Sequence, residues 1–258
     1  MTSTLVFACI AISVLITSFI SGILGMAGGM ILMGVLLALL SLPAAMMLHG
    51  ITQMASNGWR AWLWRTSVNW RVFRGYAGGA LLAVGLFVLV QFVVSKSLAY
   101  ILLGITPFIS YVLPARLALN VDHRGHPLVC GVVCTAIQLL AGVSGPLLDV
   151  FFVRSSMSRH GVVATKAASQ TLGHLIKILY FGGISAMTVA GNTMPVGLSL
   201  TLIVACVALA FTGTTLSTRV LGKMSDANFR NWTQWTVLTV GVIYLASGVW
   251  LLAGLGKS

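Results

Sequence analysis

Eight polar residues in otherwise apolar surroundings carry the chemistry of this chain. His49, Gln53, Asn57 and Arg60 stand at offsets of 0, 4, 8 and 11, and Lys166, Gln170, His174 and Lys177 repeat that spacing. On an α-helix these offsets fall within an arc of about 80°, so each set forms one stripe. Ser56 lies within the first stripe and Gly173 within the second. Amides, imidazoles and cations with no carboxylate among them offer many donors and few acceptors, which suits an anion. The plainer use of such a stripe is hydrogen bonding between helices.

Each stripe follows a glycine-rich stretch. The first reads Gly22-x2-Gly25-x2-Gly28-Gly29 and the second Gly142-x2-Gly145-Pro146. The differences 142−25, 145−28, 170−53, 174−57 and 177−60 all equal 117, so a glycine turn and a polar helix occur twice without a gap. Gly28, Gly29 and Gly145 are expected just before helix N-termini. There, backbone N–H groups at the positive end of a helix dipole suit an oxyanion.

The elements that must hold these residues lie in a membrane. The chain has 258 residues, 58% hydrophobic and 7% charged, against about 25% charged in soluble domains. The apolar runs are continuous, which selects helices over a barrel. Ten segments are expected, at about 4–24, 28–42, 45–64, 75–94, 97–113, 127–142, 146–157, 161–183, 194–217 and 231–254. The first is read as an uncleaved helix, since no basic residues precede it. Pro43 and Pro195 suit helix starts, and Pro107 suits a bend. The segments 28–42 and 146–157 are short for a bilayer crossing and are expected to be short or re-entrant helices.

If each segment reverses direction, Arg65, Arg71, Arg74, Arg116, Arg124, Arg154, Arg159, Arg219, Lys223 and Arg230 share one side. Only Lys96 and Lys257 fall on the other. Basic loops stay in the cytoplasm, so both termini are expected outside it. The net charge of +12 is explained by these loops and needs no nucleic acid. Trp59, Trp62, Trp64, Trp70, Trp232 and Trp235 suit an interfacial belt at the same level.

Five segments per half is an odd number, which implies two inverted repeats: residues 1–115, a cytoplasmic linker at 116–126, and residues 127–258. The fold class is thus an all-α polytopic membrane protein. Gln53 and Gln170 are expected near the midplane. Arg60, Lys177 and Lys166 are long enough to snorkel towards an interface. Asp149, the one acid in a membrane segment, is expected to pair with a lysine such as Lys166 or Lys177, with a proton-coupling role as the alternative. The cysteines Cys9, Cys130, Cys134 and Cys206 read as core residues, Cys130 and Cys134 sharing a face. The Asp122, His123, Arg124, His126 group reads as a solvated loop. No metal-ligand spacing, cofactor motif or nucleophile with an evident base is present, which argues against an enzyme.

The glycine turns, with the Gln53/Asn57/Arg60 helix and the Gln170/Lys177 helix, make the chain resemble the TauE/SafE sulfite-exporter family over nearly its whole length. Ala27 and Ser144, themselves 117 apart, stand where that family is expected to carry glycine. The resemblance implies a secondary transporter of sulfite, or of organosulfonates such as sulfoacetate, in a bacterial inner membrane. Spacing and composition by themselves imply a carrier or channel for a small anion, with the lipid bilayer as its other partner.

Overall fold

The computed structural model describes residues 4–24, 26–90, 94–112, 119–188, 198–221 and 226–254. Gly25, Pro114, Arg116, Pro195, Lys223 and Lys257 lie outside them. Ten α-helices and no strand occur among the described residues. They are α1 (Thr4–Leu24), α2 (Met26–Leu39), α3 (Leu42–Leu63), α4 (Trp70–Val90), α5 (Lys96–Val112), α6 (His126–Ala141), α7 (Gly145–Phe152), α8 (Arg159–Thr188), α9 (Leu200–Leu221) and α10 (Asp226–Leu252). Four are long and apolar enough to cross a membrane, over Thr4–Ile23, Trp70–Val90, Leu200–Ser217 and Gln234–Leu252. Their exposed side chains include Leu81, Leu86 and Leu89 on α4 and Leu200 and Val204 on α9, the surface expected towards lipid.

Proline occupies the first turn of α3, α6 and α7, where its missing N–H has no intrahelical partner to lose. α5 is helical through Pro107, and Gly241 of α10 packs against that ring. α7 ends at Phe152, five residues before the end of the expected 146–157 segment. Polar anchors from the 119–125 loop stop it. Asp122 accepts hydrogen bonds from Ser155 Oγ and from the Ser156 backbone N–H, and Asn120 Nδ2 donates to the Arg154 carbonyl.

The Asp122 loop is therefore a clasp as well as a solvated turn. The Ser156 N–H, which stabilises the ionised form, holds the Asp122 carboxyl below its usual range. The clasp is at full strength above the ordinary aspartate pKa and is lost as pH falls through the lowered folded value. Asp122→Ala is expected to lower stability at neutral pH by about 0.5–1 kcal/mol, since the site is largely solvated. Thermal unfolding should show this penalty disappearing in acid.

Helices pair in a regular way. α1 lies along α9, α4 along α6, α3 along α8, and α5 along α10. Exchanging each helix with the one five places away converts the α1–α9 pair into α6–α4 and returns the other two to themselves. Small residues allow these approaches. A side chain at Gly131 of α6 would sit 2.0 Å from the Tyr76 carbonyl of α4, and one at Gly79 of α4 2.0 Å from the Leu128 carbonyl of α6. α3 and α8 cross antiparallel in the interior. Gly50 meets Lys177 and Ile178, and Gly58 meets Thr171. Both polar stripes therefore lie along this crossing. At one end Trp64 packs on His160 with centroids 4.5 Å apart, and nearby Trp59 of α3 packs edge-on against Phe211 of α9. Trp62, Trp64, Trp70, Trp232 and Trp235 are exposed.

Candidate functional site

The first turns of α2 and α7 touch each other at Met26 and Gly145. A Cβ on Gly145 would lie 2.6 Å from Met26 Cβ and 3.4 Å from Gln170 Nε2, while one on Gly29 would lie 3.2 Å from Gln53 Oε1. Between the turns and the α3–α8 crossing is a small cavity. Its walls are Ser21, Met26, Gly29, His49, Gln53, Asn57, Gln138, Val143, Ser144, Gln170 and His174. The free space is about 10 Å³, room for about one water. Sulfite, a sulfur carrying three oxygens, is larger, so the cavity as it stands is too tight to hold it.

Two hydrogen-bond chains orient the imidazoles. His49 Nε2 lies 2.9 Å from the Gly29 carbonyl, and His49 Nδ1 lies 2.7 Å from Lys177 Nζ. The carbonyl can only accept, so Nε2 carries the ring hydrogen and Nδ1 accepts from Lys177. On the other side, Ser144 Oγ donates to Gln138 Oε1 over 2.6 Å, and Gln138 Nε2 donates to His174 Nδ1 over 2.8 Å. The two rings are 5.5 Å apart. Asn57 Nδ2 donates to the Gln53 carbonyl one turn back.

Gln53 is 3% exposed, yet its Nε2 has no hydrogen-bond partner among the described residues. An unmet buried donor costs about 1–3 kcal/mol, so this one calls for an acceptor such as a water, an ion or a ligand oxygen.

The cations stand behind these walls. Lys177 does not snorkel. It is fully buried, and Nζ also donates to the Gly142 carbonyl over 2.9 Å. Gly142 has φ +81 and ends α6, a left-handed conformation suited to glycine. Lys177 therefore sits at the negative end of the α6 dipole. Arg60, its counterpart 117 residues earlier, donates to the Ser21 carbonyl in the last turn of α1. Lys166 forms an ion pair with Asp149 and stands beside Arg60. His49, Gln53, Asn57, Gln170, His174 and Gly29 thus meet at the cavity, while Arg60, Lys166, Lys177 and Asp149 lie behind it.

Gly28 and Gly29 lie inside the first turn of α2, which begins at Met26, and do not precede it. Gly28 serves packing. A side chain there would sit 2.0 Å from the Thr17 carbonyl, so α1 and α2 touch backbone to backbone. Gly145 is the first residue of α7, with Ser144 before it as the N-cap. Cys130 and Cys134 are buried with sulfurs 3.8 Å apart, but neither lines the cavity. No group of three or more metal-ligating side chains occurs among the described residues.

Gln138, Ser144 and Ser21 are the site residues that spacing did not single out. Gln138 and Ser21 are also 117 apart. A glutamine four residues before a glycine turn, alone in an apolar segment, was the available signal.

A family model, Sulfite exporter TauE/SafE, matches residues 9–244, all but the two ends of the chain. No curated protein and no solved structure matches. The chain belongs to the TauE/SafE sulfite exporter family and is a membrane transporter of that family of sulfur-anion carriers.

Proposed function

We propose that this protein is a secondary carrier that exports sulfite, or a small organosulfonate such as sulfoacetate, across a bacterial inner membrane. The observation that carries this reading is Gln53 Nε2, which has no partner among the described residues and faces a small cavity walled by further amides and imidazoles. A sulfite or sulfonate oxygen is the acceptor that donor lacks. Gln170, His174 and His49 supply further polar contacts, and Lys177, Arg60 and Lys166 supply positive potential from behind.

Alternating access fits the same geometry. The cavity is smaller than the anion, so α3, α8 and the first turns of α2 and α7 must separate to admit it. Two inverted five-helix repeats would provide the moving parts. That reading is supported by the 117-residue offset and by helix pairs that exchange under a shift of five. With the basic loops in the cytoplasm, both termini face outward, and the two turns meet at mid-depth as re-entrant tips.

The test is flux from proteoliposomes loaded with sulfite, with sulfoacetate, isethionate, taurine and sulfate as competitors. Saturable sulfite efflux blocked by sulfonates is expected. Absence of protein-dependent flux, or ohmic single-channel currents, would overturn the reading.

A further inference from the structure

We propose that the buried Lys177–His49 pair takes up one proton when an anion enters the cavity, which makes the carrier proton-coupled. This rests on reading the cavity as the anion site. Lys177 is 0% exposed, and its Nζ has two acceptors, His49 Nδ1 and the Gly142 carbonyl. A neutral amine has two hydrogens and satisfies both. An ammonium has a third, and the described residues offer it no acceptor.

The described side chains offer it no carboxylate either. Asp149 is paired with Lys166 and Asp122 holds the Ser155–Ser156 turn. The groups facing the pair are neutral or basic. His174 lies one turn back on α8, with its ring 5.5 Å from that of His49. α6 presents Gly142, and Gln138, which is bound to His174. From α4, Tyr76 packs at Gly173. Arg60 on α3 and Lys166 on α8 are each eleven residues away, roughly 16 Å along their helices, and so is Asp149 with its partner.

A buried ammonium without a counter-charge is costly, and an anion against the neighbouring His49 removes much of that cost. Protonation therefore favours anion binding, and anion binding favours protonation to the same extent. The proton comes from bulk water, adds to the lone pair of Nζ, and returns to water when the anion leaves. No other bond changes. Arg60 cannot act this way despite its equivalent position, because a guanidinium keeps its charge. The titratable member of the matched cations thus lies only in the second repeat.

The test is calorimetric titration of the full-length protein with sulfite in two buffers of different ionisation enthalpy, comparing wild type with Lys177→Arg. The wild type is expected to take up about one more proton per anion than the variant, and its affinity to fall about tenfold per pH unit relative to the variant. Equal proton uptake by the two would overturn the proposal. If Lys177→Arg does not fold, isethionate serves with the wild type alone, since its sulfonate stays ionised. Uptake of about one proton supports the proposal, and none overturns it. Failure of the wild type to bind any of these anions would overturn both the proposal and the transport-site reading beneath it.

Discussion

Replacing Gln53 and Gln170 together by alanine is expected to weaken sulfite binding by roughly 10²–10⁴-fold while the protein stays folded. Each hydrogen bond to a charged group contributes about 1.5–3 kcal/mol, and each 1.4 kcal/mol is tenfold in affinity. Two such bonds give the stated range. Stability should move differently from affinity, because Gln53 Nε2 is buried without a partner among the described residues. Gln53→Leu removes an unmet donor and keeps the volume beside Gly29 filled. It should leave the unfolding temperature unchanged or raise it, while affinity falls. A site tuned for a ligand often pays in stability, and this pair of measurements exposes that trade. Unchanged sulfite affinity in the double variant would remove Gln53 and Gln170 from the site. A large loss of stability in Gln53→Leu would give Gln53 a structural role instead.

The second large effect concerns the scaffold. Gly131→Leu is expected to destabilise the protein by more than about 3 kcal/mol, the upper end of overpacking costs, and to abolish accumulation of folded protein. Its side chain would run into the Tyr76 carbonyl, 2.0 Å from the first added carbon. Backbone on a facing helix cannot turn aside as a long side chain can. Gly79→Leu should fail for the reciprocal reason. Gly78 and Gly85 lie on the same α4 helix with nothing within 4 Å. Gly78→Ala should therefore be tolerated, and removing the glycine even favours the helix by up to about 1 kcal/mol. Folded yield and thermal unfolding in detergent separate the two classes. Equal tolerance at Gly78 and Gly131 would contradict the close α4–α6 packing.

Much of the architecture was legible without coordinates because membrane helices announce themselves. A long apolar run has one conformation available in lipid, so segment number and position follow from composition. The expected ten segments coincide with α1–α10 to within a few residues at most ends. α7 is an instructive miss. Its apolar run continues past Phe152 into Val153, but Asn120 and Asp122, some thirty residues away in sequence, take the backbone groups that would have prolonged it. Local pattern cannot report such a partner.

The polar stripes were equally legible, since helical periodicity places His49, Gln53 and Asn57 on one face whatever surrounds them. Spacing fixed which residues share a face, and the 117-residue offset fixed which residues correspond. Neither could rank them by distance from a ligand. Only the crossing of α3 over α8 decided that the amides and imidazoles reach the cavity while Arg60, Lys166 and Lys177 stand behind it. Only the ending of α6 at Gly142 decided that Lys177 is buried on a helix terminus and does not reach for an interface. The same holds for glycine. Gly78 and Gly79 are adjacent and chemically identical, and Gly28 and Gly29 likewise. Which of them carries a helix contact, lines a cavity or faces open space depends on what another part of the chain brings against it. Periodicity is a property of one helix and is written in its sequence. Burial, partnership and charge balance are properties of helices in pairs, and they exist only once the chain has folded.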